Sequence, residues 1–142
     1  MSENVLTENE NLYKLKSLTE ALQFKQISCG EIESVVELDV PTGSMFLFGL
    51  FKNENVAISR CYMTAGTTVK HHLHNEWELI VVVSGGFMME SEKQGEIDLS
   101  KPKSIVYFEP GDKHWVTDTL ENTWCLCVTM PSSSIYPSGI CV

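Results

Sequence analysis

Short apolar runs separated by turn sequences fill most of the chain, and they constrain its fold more than any other feature. The candidate strands are Glu33–Leu38, Ser44–Phe51, Val56–Met63, Glu76–Ser84, Phe87–Glu92, Ser104–Phe108, Trp115–Thr119 and Thr123–Met130. The segments between them, such as PTG, KNEN, SGG and EPGDK, are rich in residues that favour tight turns. Many short strands with regular turns predict an all-β sandwich or barrel.

The two ends of the chain have different patterns. Leucines recur at helical spacing between residues 12 and 22, and Ser17 followed by Glu20 fits a capping box. We therefore expect a short helix near residues 18–24, after a polar segment, residues 1–11, that frays. The C-terminal sequence PSSSIYPSGICV predicts a tail that wraps over the surface and lies against a neighbour.

The charge of the chain excludes several kinds of partner. Ten basic and 19 acidic residues give a net charge of −9, and Arg60 is the only arginine. Without a basic cluster to neutralise phosphates, we expect neither nucleic acid nor an anionic membrane surface as a partner. The N-terminus is polar and acidic, unlike a signal peptide, and no apolar run approaches the roughly 20 residues that span a bilayer. These features predict a cytoplasmic protein.

The cysteines indicate a reducing compartment. There are five of them, an odd number, and no CxxC motif is present. Cys125 and Cys127 share one face if they lie on a strand. They are interpreted as buried small apolar residues, with a metal-binding or redox pair as the alternative.

A group of metal-binding residue types follows Gly66. On a strand, His72 and His74 point to the same face, so their imidazoles can converge. Glu78 opens the next apolar run, and His114 follows the tight turn PGD. Two imidazoles and a carboxylate on neighbouring strands suit a divalent metal with open coordination positions. The sequence therefore predicts a metal site here, with His114 as a further ligand.

The spacing of these residues resembles the first motif of the cupin superfamily. Gly66, His72, His74, Glu78 and Gly85 match all five of its fixed positions. The resemblance covers about residues 44–130. It divides the chain into an N-terminal extension at 1–43, a short helix plus strands packed on the barrel, then a cupin barrel at 44–130 and a C-terminal tail at 131–142.

The second cupin motif is matched only in part. Gly111 and His114 keep the expected spacing. Lys103 stands where the family usually has a glycine, Glu109 replaces the usual proline, and Asp118 replaces the usual asparagine. These departures concern turn geometry more than metal chemistry.

The resemblance implies a double-stranded β-helix, or jelly-roll barrel, holding one divalent transition metal. Its ligands would be His72, His74, Glu78 and His114, and the metal would be manganese, iron, nickel, cobalt, copper or zinc. Asp118 or nearby carbonyls would hold the ligand histidines in one tautomer. Cupins include enzymes such as dioxygenases, decarboxylases and isomerases, as well as ligand sensors and storage proteins. We favour a small-molecule metalloenzyme, with a non-catalytic sensor or binding module, or a structural or storage protein, as alternatives.

Several neighbouring residues have roles that depend on which face they occupy. Arg60 and Tyr62 share a face, and would hold an anionic or phenolic substrate if that face is inward. His71 alternates out of phase with the predicted ligands, and Trp115 should point away from the barrel interior. The resemblance also implies a homodimer, in which the segment Ile27–Leu50 pairs across the interface.

Overall fold

The computed structural model describes residues 3–5, 35–130 and 140–141. They form twelve strands: β1 Glu3–Val5, β2 Val35–Leu38, β3 Met45–Lys52, β4 Ala57–Met63, β5 Val69–Leu73, β6 Trp77–Ser84, β7 Phe87–Ser91, β8 Gly95–Leu99, β9 Ile105–Phe108, β10 His114–Thr119, β11 Thr123–Met130 and β12 Ile140–Cys141. In this part of the chain, no helix has the length and apolar character needed to cross a membrane.

The strands build two antiparallel sheets that enclose the core. One sheet has the order β1-β2-β3-β4-β11-β6-β9, and the other has the order β12-β5-β10-β7-β8. Strands distant in sequence are neighbours, because the chain crosses between the sheets as in a jelly roll. Phe87, Met89 and Leu99 of the smaller sheet share one buried cluster with Val82 and Phe108 of the larger. The predicted all-β barrel is confirmed.

All eight predicted strands are present, but the sequence analysis missed two further strands of the smaller sheet, β5 and β8. Val69–Leu73 has the polar run Lys70, His71 and His72 in place of alternating apolar residues, so it lacks the alternation that marks a strand. Within the described ranges, Gly95–Leu99 pairs with β7 alone and exposes most of its side chains, which explains its polar sequence.

The ends of the chain extend both sheets. Glu3–Val5 was expected to fray, but it pairs with β2, whose edge offers hydrogen-bond partners to its backbone. β2 in turn pairs with β3 of the same chain, so this part of the segment expected at an interface is used internally. Ile140–Cys141 adds β12 to β5. The helix expected near residues 18–24 lies outside the described residues, and the homodimer stays a prediction.

Two turns of the second motif have left-handed backbone conformations. Asp112 donates its amide hydrogen to the Glu109 carbonyl at 3.1 Å, and Gly111 has φ +81° in the turn they close. Lys103, at the position where the family usually has glycine, adopts φ +72°. A side chain in this region costs about 1–2 kcal/mol. Lys103 therefore adopts the left-handed backbone conformation that this turn requires, which lowers the stability of the folded chain.

Candidate metal centre

The four residues predicted from their spacing come together inside the barrel. His72 lies on β5, His74 directly follows that strand, Glu78 lies on β6 and His114 begins β10. His114 stands opposite His72 in the pairing of β10 with β5, and their ring centroids are 4.3 Å apart. The ligand nitrogens of the three histidines all lie within 4.8 Å of one another, so they could hold a metal ion.

Glu78 reaches this cluster from the opposite sheet. Its Oε1 lies 3.3 Å from Nε2 of His74 and 3.1 Å from Nε2 of His114. Glu78, His74 and His114 are 6%, 7% and 1% exposed. A buried carboxylate needs a positive partner to offset its lost hydration, and the histidines or a bound cation can provide one.

Backbone carbonyls determine which nitrogen of two rings faces the cluster. Nδ1 of His72 lies 2.8 Å from the Lys70 carbonyl, and Nδ1 of His114 lies 2.7 Å from the Asp112 carbonyl. Because a carbonyl oxygen can only accept, each Nδ1 carries a proton and donates it, and each Nε2 presents a lone pair. Such contacts orient metal ligands. Asp118, the other expected support, is exposed.

The contact between His114 and Glu78 tests whether these residues fit a metal. Nε2 of His114 and Oε1 of Glu78 are buried and have no hydrogen-bond partner among the described residues. With Nδ1 protonated, a neutral His114 turns a lone pair towards a carboxylate oxygen, and the two repel unless a proton or cation lies between them. Three imidazoles and a carboxylate are donors that suit divalent transition metals. The residues therefore fit the metal that the resemblance implies.

Burial and neighbouring charges shift the pKa values of His72, His74 and Glu78 in different directions. Burial lowers the pKa of His72 to about 4, and the neighbouring His114 contributes further. Burial would raise the pKa of Glu78, but the neighbouring His74 and His114 outweigh it and hold that pKa far below its ordinary value. Burial would also lower the pKa of His74, but the Glu78 carboxylate outweighs it and raises that pKa. At neutral pH the site therefore offers an ionised carboxylate beside a neutral His72.

A cavity of about 60 Å³ adjoins the cluster. His72, His74 and Glu78 line it, together with apolar side chains and the thiols of Cys61, Cys125 and Cys127. On the scale where one water needs about 10–15 Å³, this space accommodates a few waters or a small ligand. A small molecule in the cavity would therefore lie directly beside the candidate metal ligands.

Arg60 and Tyr62 point away from this cavity. Cys61, between them on β4, lines the cavity, and successive side chains on a strand alternate between faces. The guanidinium carbon of Arg60 lies 4.6 Å from the ring centroid of Trp124, and the Tyr62 ring lies 4.9 Å from the same ring. These contacts belong to the outer face of the larger sheet. The outward alternative is therefore the one observed, and neither residue is placed to bind a substrate in the cavity.

His71 and Trp115 also lie on an outer face, that of the smaller sheet, as their alternation with His72 and His114 predicted. His71 is exposed, and its ring stacks on Trp115 with centroids 3.8 Å apart. His71 is therefore separate from the cluster although it adjoins it in sequence.

A buried carboxylate that the sequence did not reveal supports His114. Asp112 is 2% exposed and accepts hydrogen bonds from the Ser91 hydroxyl at 3.0 Å and the Lys93 amide at 3.1 Å. These bonds fix the turn whose Asp112 carbonyl accepts the His114 Nδ1 proton. The position of Asp112 two residues before His114 was the available signal, whereas nothing in the sequence indicated Ser91.

Solved structures share this fold at low sequence identity. One is an RmlC-like cupin from Shewanella frigidimarina. The aligned region covers 78% of the present chain and 94% of the cupin chain, with a TM-score of 0.60 and 17% sequence identity. Another is a predicted oxalate decarboxylase from Thermotoga maritima. The aligned region covers 75% of the present chain and 100% of the other chain, with a TM-score of 0.60 and 15% sequence identity.

A structure from work on the DMSP lyases RdDddP and RnDddQII matches 63% of this chain, with a TM-score of 0.57 and 19% identity. The match covers 49% of that chain, so the present chain spans about half of it. No protein-family model and no curated protein matches the sequence. The likeness therefore concerns the fold.

Proposed function

Because the chain has the cupin fold, we propose that it is a metal-dependent enzyme that acts on a small molecule. One divalent transition metal would be held by His72, His74, Glu78 and His114. The observation that carries this proposal is the convergence of three imidazoles and one buried carboxylate beside a small cavity. Oxygenase chemistry or a related reaction of a small oxygen-bearing substrate fits such a site best.

The metal would supply Lewis-acid or redox chemistry at its open coordination positions. The chain's own residues would orient the site, since the Lys70 and Asp112 carbonyls hold the Nδ1 protons of His72 and His114 away from it. The cavity would limit the substrate to a few non-hydrogen atoms, and its apolar walls would exclude bulk water.

The cavity lining also supports one alternative, a non-catalytic binding protein. Apart from the site residues, the titratable side chains that line it are three thiols. The contact of Cys127 with Cys125, together with burial, raises the pKa of the Cys127 thiol well above its ordinary value, which makes it a poor general base at neutral pH. Any proton transfer would therefore fall to the site residues or to water, whereas simple binding requires none.

Metal analysis of three purified proteins tests the proposal. The parent and a His71→Ala variant are expected to contain nearly one equivalent of a transition metal, and His74→Ala is expected to contain much less. His71 is the matched control because it lies three residues away on the outer face. Equal metal in His74→Ala and the parent, or no metal and no thermal stabilisation by any added divalent ion, would refute the site.

The identity of the metal then selects the assay that separates an enzyme from a binding protein. For iron or copper, oxygen consumption would be followed with small carboxylic acids and phenols as substrates, and for zinc the decarboxylation or isomerisation of the same acids would be followed. Turnover by the parent and His71→Ala but not by His74→Ala supports the enzyme. Saturable thermal shifts by one of these compounds without turnover would favour the binding protein.

A further inference from the structure

The larger sheet has an exposed apolar area on its outer face, at β6, β9 and the end of β11. Glu78 and Ile80 of β6 line the cavity, so the side chains that alternate with them point outwards. The described residues leave seven large apolar side chains exposed, and five of them lie in this area, between 38% and 61% exposed. These five define the β6–β9 face: Trp77, Val83, Ile105, Tyr107 and Met130. Exposed apolar residues are normally scattered singly, so their concentration on one face indicates a contact surface.

Strand pairing makes the β6–β9 face continuous. Met130 of β11 stands opposite Trp77 of β6, and Tyr107 of β9 stands opposite Leu79 of β6. The rings of Trp77 and Tyr107 stack with their centroids 5.1 Å apart. Ile105 lies two residues from Tyr107, on the same side of β9. The exposed side chains thus form one patch across three neighbouring strands.

The two sheets differ in what they present to solvent. The outward positions of β7 and β8 in the smaller sheet carry Glu90, Glu96 and Asp98, as expected of an antiparallel sheet that packs on one side and faces water on the other. The outward positions of β6 and β9 carry no charged side chain, although 20% of the chain is charged. Tryptophan, tyrosine and methionine in the absence of charges are typical of the buried centre of a protein–protein interface.

We propose that the β6–β9 face packs on the same face of a second copy of this chain, in a two-fold symmetric dimer. The chain has a net charge of −9, so two copies repel where their acidic surfaces meet and approach most closely through a face without acidic groups. The face has no charge with which to select an unlike partner, whereas two apolar faces complement one another. A contact of one patch with itself closes at two copies. The interface that the resemblance implies, at Ile27–Leu50, is a different part of the chain.

The area of the β6–β9 face is sufficient for such a dimer. At roughly 200 Å² for a fully exposed large residue, the five exposed residues leave roughly 450 Å² open to solvent. A standard interface buries about 800 Å² on each partner. The half-buried Leu79 and Val81, together with the polar residues at the margin of the face, would supply the remainder.

Sedimentation velocity of three purified proteins, from low to high micromolar concentration, tests the dimer. The parent is expected to sediment with twice the 16.0 kDa mass of the chain. Ile105→Lys should raise the dissociation constant of the dimer about 10–100-fold, because it buries an unpaired ammonium group in each copy. Lysine reduces the net charge of this acidic chain, so the weakening would not come from general repulsion. The matched control is Leu120→Lys, which should dimerise as the parent does, since Leu120 is 50% exposed in the turn between β10 and β11, outside the face.

A parent that stays monomeric at every concentration would overturn the proposal, and so would an Ile105→Lys variant that dimerises as tightly as Leu120→Lys. Hydroxyl-radical footprinting of the parent gives a second measurement, which decides the question if Ile105→Lys does not fold. Oxidation of Trp77 and Tyr107 should fall as the concentration rises, whereas oxidation of Trp115, on the outer face of the other sheet, should not change. Oxidation of Trp77 and Tyr107 that is independent of concentration would also overturn the proposal. Neither measurement depends on the proposed metal site or enzyme.

Discussion

Removal of the His72 imidazole should make the metal-free protein less sensitive to acid. The folded chain holds the pKa of His72 at about 4, below the ordinary value of 6.5, mainly because the ring is buried. Between these two pH values the unfolded chain binds a proton at His72 and the folded chain does not. The stability that His72 contributes is thus fully present above pH 6.5 and is lost as the pH falls towards 4.

The size of the effect follows from these two pKa values. Between pH 7 and pH 5, the linkage relation gives a loss of about 2 kcal/mol from His72 alone. His74 acts in the opposite direction, because its raised pKa contributes stability that is present at low pH and is lost as the pH rises. Glu78 contributes stability that is lost only below its ordinary pKa of 4.5. A comparison of parent and variant isolates the His72 contribution.

Urea unfolding in the presence of EDTA at pH 7 and pH 5 measures how much stability His72 contributes at each pH. His72→Gln should lose about 2 kcal/mol less than the parent between the two pH values, which is about 1 M in the urea midpoint for a typical m-value. His71→Gln is the matched control, since it removes an imidazole from the outer face of the same strand. Equal losses in His72→Gln and the parent would refute the argument that His72 is buried in its neutral form.

Three further substitutions test the turns and the support of the site. Lys103→Gly should stabilise the protein by about 1 kcal/mol and raise the Tm by about 3–4 °C, because glycine adopts φ +72° without strain. An unchanged or lower Tm would contradict this. Gly85→Ala should destabilise by about 2–4 kcal/mol in urea unfolding, because φ is +82° and a Cβ would lie 2.4 Å from the Asn122 carbonyl oxygen; wild-type stability would exclude the clash. Asp112→Ala should weaken divalent metal binding about 10–100-fold in a chelator competition, because it frees the turn that positions His114. Unchanged affinity would show that the turn holds without the carboxylate.

The sequence predicted the strands wherever apolar residues dominate, because burial of apolar surface drives both the pattern and the fold. It missed β5, which carries His72 of the site next to the polar Lys70 and His71. Where polar site residues replace apolar ones, the alternation of apolar and polar residues that marks a strand is lost. The spacing of His72, His74 and Glu78 still indicated that they would converge, since it depends only on strand alternation and one turn.

The face of Arg60 and Tyr62 was undetermined for a physical reason. The larger sheet is apolar on both faces, with Cys61 and Met63 buried inside and Tyr62 and Trp124 buried outside. Alternation along β4 therefore gives no sign of which face is inward.

The support from Ser91 and the turn at Asp112 was unpredictable for another reason. Their contact joins positions 21 residues apart in sequence, and it forms only when β7 and β10 pair. Local patterns do not carry that information.

The division of the candidate ligands between the two sheets has a consequence for motion. The histidines belong to the smaller sheet or directly follow its strands, Glu78 belongs to the larger, and among the described residues the sheets share no strand. An ion held by all four would tie one sheet to the other across the interior. We expect amide exchange on β5 and β6 to slow together when the ion binds. An ion bound there would then also govern how often the two sheets separate.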